Sequence, residues 1–144
     1  MAVIDVKELK NALVAAGFEV FRVREEEVHL AERQNVHLME AGVRARGGAA
    51  PMVTIVARAQ RNDAPMMSEL ALLDAVRSKM SALVDAGFIE RDAGAREIRS
   101  VSDPAHVLDV WYEVTLERVV EAVDDAVHTV GIAMRTERYI VPRG

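Results

Sequence analysis

The sequence predicts an α+β fold: a mostly antiparallel sheet with a long central helix packed on one face and flanking N- and C-terminal helices. Three observations predict it. Ser68 to Phe88 carries Leu72, Leu73, Val76, Met80, Leu83 and Val84 at three- and four-residue steps, one apolar stripe of a helix. Val107 to Glu117 alternates, with Val110, Tyr112, Val114 and Leu116 on one side and Asp109, Trp111, Glu113 and Thr115 on the other. Helical spacing returns near both ends, at Asp5–Ala16 and at Arg118–Val130.

The first helix has Leu9, Ala12, Leu13 and Ala16 on one face, with Asp5 as its cap and Gly17 as its stop. Phe18 to Val23 is short, aromatic and β-branched and reads as a strand. Glu25 to Ala41 fits two grammars. Three acids at its start and Gly42 at its end suit a helix, while Val28-Leu30 and Val36-Leu38-Glu40 suit two short strands. Helix is the expectation taken. Gly42–Arg46 and Met52–Gln60 read as strands, joined by a small and flexible linker at Gly47–Pro51.

Asn62-Asp63-Ala64-Pro65 turns the chain into the central helix, whose cap is Ser68 and whose stop is Gly87. A hairpin of Phe88–Arg91 and Arg96–Val101 is expected around Asp92–Ala95, followed by a turn at Ser102-Asp103-Pro104. The last helix is expected to end at Gly131. Residues 1–131 then make a single α+β domain, and 132–144 a C-terminal strand or basic arm. Asn11–Phe18 and Ser81–Phe88 match at six of eight positions, which either a duplication or convergent helix capping would produce.

Length and composition bound the function. A chain of 144 residues can bury roughly two-thirds of its unfolded surface. It has no cysteine, so disulfides, thiolate metal sites and a cysteine nucleophile are excluded. The early charges in MAVIDVKELK argue against a signal peptide, and no apolar run approaches the ~18 residues of a membrane span. A soluble protein made in a cytoplasm is expected. Net charge is −5, with thirteen acids against six bases in 66–130, which argues against sequence-independent nucleic-acid binding. Arg135, Arg138 and Arg143 against Glu137 alone make the terminus basic: either a solvated end or an arm that docks on an acidic neighbour.

No catalytic, cofactor-binding or metal-ligating set emerges. His29 and His37 would share one side of a helix with Arg33 between them, and that cation opposes a metal. Asp124 and His128 have the spacing of an ordinary i,i+4 contact, and His106 sits in a turn. Nucleophile motifs are absent, and Gly47-Gly48 lacks the lysine and helix start of a phosphate loop. The remaining candidates are contact residues: Arg44 and Arg46 beside the flexible loop, Trp111 outward on its strand, and Arg135, Arg138, Tyr139 and Arg143 on the arm. An outward tryptophan on a sheet is either covered by the chain's own tail or is a protein contact.

The order of elements gives a direction. Val53–Ala59 (VTIVARA), Asn62–Val76 (NDAPMMSELALLDAV), the charged hairpin after Phe88 and Val107–Leu116 (VLDVWYEVTL) follow as strand, polar turn, helix, charged hairpin and closing strand. That order resembles the tail-terminator, or tail-completion, proteins of long-tailed bacteriophages. The resemblance implies a structural virion protein of the tail–neck region, assembled in the host cytoplasm. It would form a ring, usually a hexamer, that caps the tail tube and joins it to the neck connector. It implies no enzyme activity, cofactor, membrane or specific nucleic-acid partner. The second expectation is a small acidic dimer, similar to secretion chaperones, that binds an extended client.

Overall fold

A computed structural model describes residues 3–142. In chain order the elements are α1 (Val6–Ala15), β1 (Val20–Arg24), β2 (Glu27–Gln34), β3 (His37–Arg46), β4 (Met52–Gln60) and a 3-10 turn at Arg61–Asp63. They continue with α2 (Glu69–Lys79), α3 (Ser81–Asp85), β5 (Ile89–Arg99), β6 (Val107–Val119), α4 (Val123–Met134) and β7 (Tyr139–Ile140). The strand order is β1-β2-β3-β4-β6-β5, with the two-residue β7 pairing parallel to β4. The sheet is mostly antiparallel and its helices are short. The chain divides into two compact units, Met1–Ile55 with Glu117–Thr136 and Val56–Leu116 with Glu137–Gly144.

In the first unit, Asp5 caps α1 by accepting from the Lys7 amide at 2.7 Å and the Glu8 amide at 3.4 Å. Leu9 and Leu13 are fully buried. α1 and α4 pack together and onto β2 and β3, where Val28, Leu30, Val43, Ala45, Val53 and Ile55 are also fully buried. The registers Val28↔Ala45↔Val53 and Val43↔Ile55 place these side chains on one face.

The expected helix over 25–41 is instead the β2–β3 hairpin. Arg24 pairs with Glu27 and Gln34 with His37, so two-residue turns sit at Glu25-Glu26 and Asn35-Val36. Glu25 (φ 56°) and Asn35 (φ 59°) are left-handed, a conformation that a right-handed helix excludes. Burying Val28 and Leu30 against the helices outweighs the helix propensity of the three glutamates.

The linker at Gly47–Pro51 is also more tightly held than expected. Ile4 and Gly48 exchange backbone bonds, amide to carbonyl, at 3.0 and 2.6 Å. A Cβ on Gly47 would meet the Ile4 carbonyl oxygen at 2.8 Å, and Gly48 (φ +77°) would place one against the Glu26 carboxylate. Close approach to backbone therefore requires glycine at 47, and the left-handed φ favours it at 48. Only Ala49 and Ala50 of this stretch are exposed.

The second unit overturns the long central helix. The helix breaks at Met80 (φ −92°, ψ 0°), whose amide turns back to the Arg77 carbonyl at 3.0 Å. α2 and α3 replace it. The apolar stripe spans the break, since Leu72, Val76, Met80 and Leu83 are all buried, and only Val84 lies out. Tertiary burial thus fixes the faces of both short helices while the backbone angle between them changes. Ser68 caps α2 by accepting from the Ala71 amide at 3.1 Å.

β5 replaces the hairpin expected around residues 92–95, running unbroken through Gly94 to the turn at Ser100–His106. β6 buries Val110, Tyr112, Val114 and Leu116 as its alternation requires. In the first unit, α4 starts at Val123 and runs through Gly131 to Met134 rather than ending at that glycine.

Candidate protein-contact site

The second unit gathers a row of arginines and aromatic rings. β4 alternates, so Ala57 and Ala59 are fully buried while Arg58 between them faces the other way. On β6 the same rule turns Trp111 and Glu113 away from the buried Val110, Tyr112 and Val114. β7 then lies parallel to β4, pairing Tyr139 with Arg58, and the Arg58 amide donates to the Arg138 carbonyl at 2.8 Å.

The Arg58 guanidinium lies 4.1 Å from the Trp111 ring centroid and 5.0 Å from that of Tyr139. Arg96 of β5 lies 5.0 Å from the same Trp111 centroid and is 3.5 Å from the Glu113 carboxylate. At the far end the Tyr139 hydroxyl donates to Asp63. Burial, then the bond to Asp63 and its charge, push the Tyr139 phenol up to about 12. The Arg58 Nε is buried with no hydrogen-bond partner. Two rings thus flank the Arg58 guanidinium, a geometry that cation–π attraction favours. The row is partly exposed and combines two guanidinium groups and two aromatic rings with the carboxylates of Glu113 and Asp63.

The structure thus brings Trp111 and Tyr139 of the expected contact residues to one place, joined by Arg58, with the Arg138 backbone beside them. Arg44 and Arg46 lie on β3 in the first unit, Arg46 at 3.6 Å from Glu27 and Arg44 opposite His29. Arg135 is exposed at the end of α4. Arg143 lies outside the described residues. Of the strand or basic arm expected over 132–144, residues 132–134 belong to α4 and Tyr139–Ile140 form β7, with Ile140 buried. Sequence reading missed Arg58, Arg96 and Asp63. For Arg58 a signal existed: it is the one charge between the alanines of a strand already identified.

The first unit holds two further polar clusters. His29 Nδ1 donates to Glu40 at 2.7 Å, with Arg22 at 3.7 Å from the same oxygen. That bond holds the Glu40 carboxyl below its ordinary range against the opposing effect of burial, and Arg22 and Arg44 add to it. His29 is only 5% exposed and serves the sheet. An open cleft of about 460 Å³ is lined by Ile4, Ala122 and Val123 together with Glu8, Glu121 and Asp124. Among the described residues no three His, Asp or Glu side chains gather as a metal site, and no helix is long and apolar enough to cross a membrane.

No protein family, curated protein or solved structure matches this chain.

Proposed function

We propose that this chain is a structural assembly protein of the phage tail-terminator kind, a subunit of a ring that caps a tail tube and meets the neck connector. The observation that carries the reading is the row Arg96–Trp111–Arg58–Tyr139. Arginine, tryptophan and tyrosine dominate the energetics of protein contacts, because each offers a large rigid surface with a polar edge. Two stretches of unlike charge support it as well. β1 is short and basic, with Arg22 and Arg24, whereas α4 opens on Asp124 and Asp125. Joining unlike surfaces head to tail gives a heterologous contact, which closes a ring when the rotation per subunit allows. The order β4, polar turn, α2, α3, β5, β6 keeps a strand, a turn, a helical stretch and a closing strand, but two short helices stand in place of the long one and the single strand β5 in place of the charged hairpin.

The test is mass by light scattering over a concentration series, alone and mixed with tail-tube protein, followed by negative-stain imaging. A ring-sized species, formed alone or on tubes, is the expected result. Tubes that keep growing in its presence, together with no ring under either condition, would overturn the reading.

A further inference from the structure

We infer that β5 is a docking edge for a second copy of this chain, pairing antiparallel with its own counterpart about Gly94. β5 ends the strand order, so its outer edge has no strand partner among the described residues. It is long, and all its residues are exposed except the half-buried Ala93 and Ile98. Exposed edges of this length invite pairing with another chain, and proteins ordinarily blunt them with charge. Here the charges are arranged to select one partner.

The strand reads Ile-Glu-Arg-Asp-Ala-Gly-Ala-Arg-Glu-Ile-Arg. Reversing it about Gly94 sets Arg91 opposite Glu97 of the second copy and Asp92 opposite that copy's Arg96. The two-fold repeats both pairs, so four cross-strand pairs of opposite sign flank the centre. Sliding the second strand by two residues, so that the strands centre on Ala93 or Ala95, breaks the set. Centred on Ala95, Arg91 meets Arg99; centred on Ala93, Glu90 meets Arg96 and Arg91 meets Ala95. Directly opposed opposite charges stabilise a strand pair and like charges weaken it, so the pattern specifies register as well as partner. The middle admits close approach. Ala93 and Ala95 are small, and a Cβ on Gly94 would meet nothing within 4 Å.

The contact is isologous, with each copy using the same strand. It is therefore separate from the head-to-tail contact that a ring requires. It would hold free subunits as pairs or join two rings through a two-fold axis.

The test uses the full chain, sedimentation velocity over a concentration series, and three variants. Arg91→Glu and Glu97→Arg each set like charges opposite one another and should weaken the dimer at least tenfold. The double variant restores opposite charges and should recover most of the wild-type affinity. Thermal unfolding of each variant checks the fold, and either single variant suffices if the other fails to fold. A wild-type chain with no dimeric species, single variants that dimerise normally, or a double variant no better than the singles would each overturn the inference. Single variants that dimerise like the wild-type chain while rings still form would remove the β5 pairing and leave the ring proposal standing. Dimers that obey the charge swap but never close on tail tubes would do the reverse.

Discussion

Arg58 and Tyr139, far apart in the chain, are register partners across a parallel strand pair, and the Arg58 guanidinium lies 5.0 Å from the Tyr139 ring centroid. The pairing of a two-residue strand thus completes a row that reaches through Trp111 to Arg96. Its energetics are open to measurement in the isolated protein.

The coupling between Arg58 and Trp111 is expected at about 0.5–2 kcal/mol, the range for cation–π pairs from exposed to desolvated sites. A double-mutant cycle with Arg58→Met and Trp111→Leu, followed by urea unfolding, isolates that coupling from the loss of packing. Strict additivity of the two substitutions would mean that the ring and the guanidinium are merely neighbours.

Tyr139 links stability to alkaline pH. Its phenol is raised to about 12 in the folded chain, above the ordinary ~10. The folded state therefore holds this proton more tightly. The stabilisation is complete below pH ~10 and is lost as pH rises toward 12. Ultraviolet difference titration should show a late-ionising tyrosine, and Asp63→Asn should move it earlier. A titration unchanged by that substitution would remove Asp63 as a cause.

Glu40 acts at the other end of the pH scale. Its carboxyl is held low, first by the hydrogen bond from His29. Its contribution is present above the ordinary carboxylate pKa of ~4.3 and disappears as pH falls through the lower folded value. Glu40→Gln should flatten the acid side of the stability profile while leaving its alkaline side in place. An unaltered acid limb would place the acid sensitivity elsewhere.

The two short helices can be tested separately. Ser68→Ala removes the cap of α2 and should cost about 1 kcal/mol. Phe88→Ala empties the largest of the fully buried side chains and should cost about 3–5 kcal/mol. Val101→Ser, at a fully exposed position, should change little. Chemical denaturation ranks the three, and a Val101 effect as large as that of Phe88 would contradict the burial described here.

Local signals were legible and distant ones were not. Asp5 and Ser68 cap the helices that the sequence assigns to them, because a cap involves only its own first turn. The repeated Ala-Leu-Val-x-Ala-Gly-Phe proves to be one cap used twice. Phe18 donates to the Leu13 carbonyl and Phe88 to that of Leu83, at 3.1 and 3.0 Å, past glycines at φ 96° and 99°. Convergent capping is sufficient to produce the echo. The break at Met80 carries no glycine or proline, and the apolar stripe continues across it, so periodicity reports one helix where there are two. The β2–β3 hairpin was hidden by acids that also suit a helix start, although Asn35 was a turn signal. The contact row was legible only in part. Trp111 follows from alternation, but its neighbours depend on β7 lying beside β4, which no local pattern encodes.

The reciprocal bonds between Ile4 and Gly48 have a mechanical consequence. A pull on the start of the chain, from a protease or an unfoldase, reaches that bridge before it reaches α1. Both bonds must part before any turn of α1 feels the force. The glycine pair that composition marks as slack is therefore a clasp, and the stretch able to yield freely shrinks to Ala49 and Ala50.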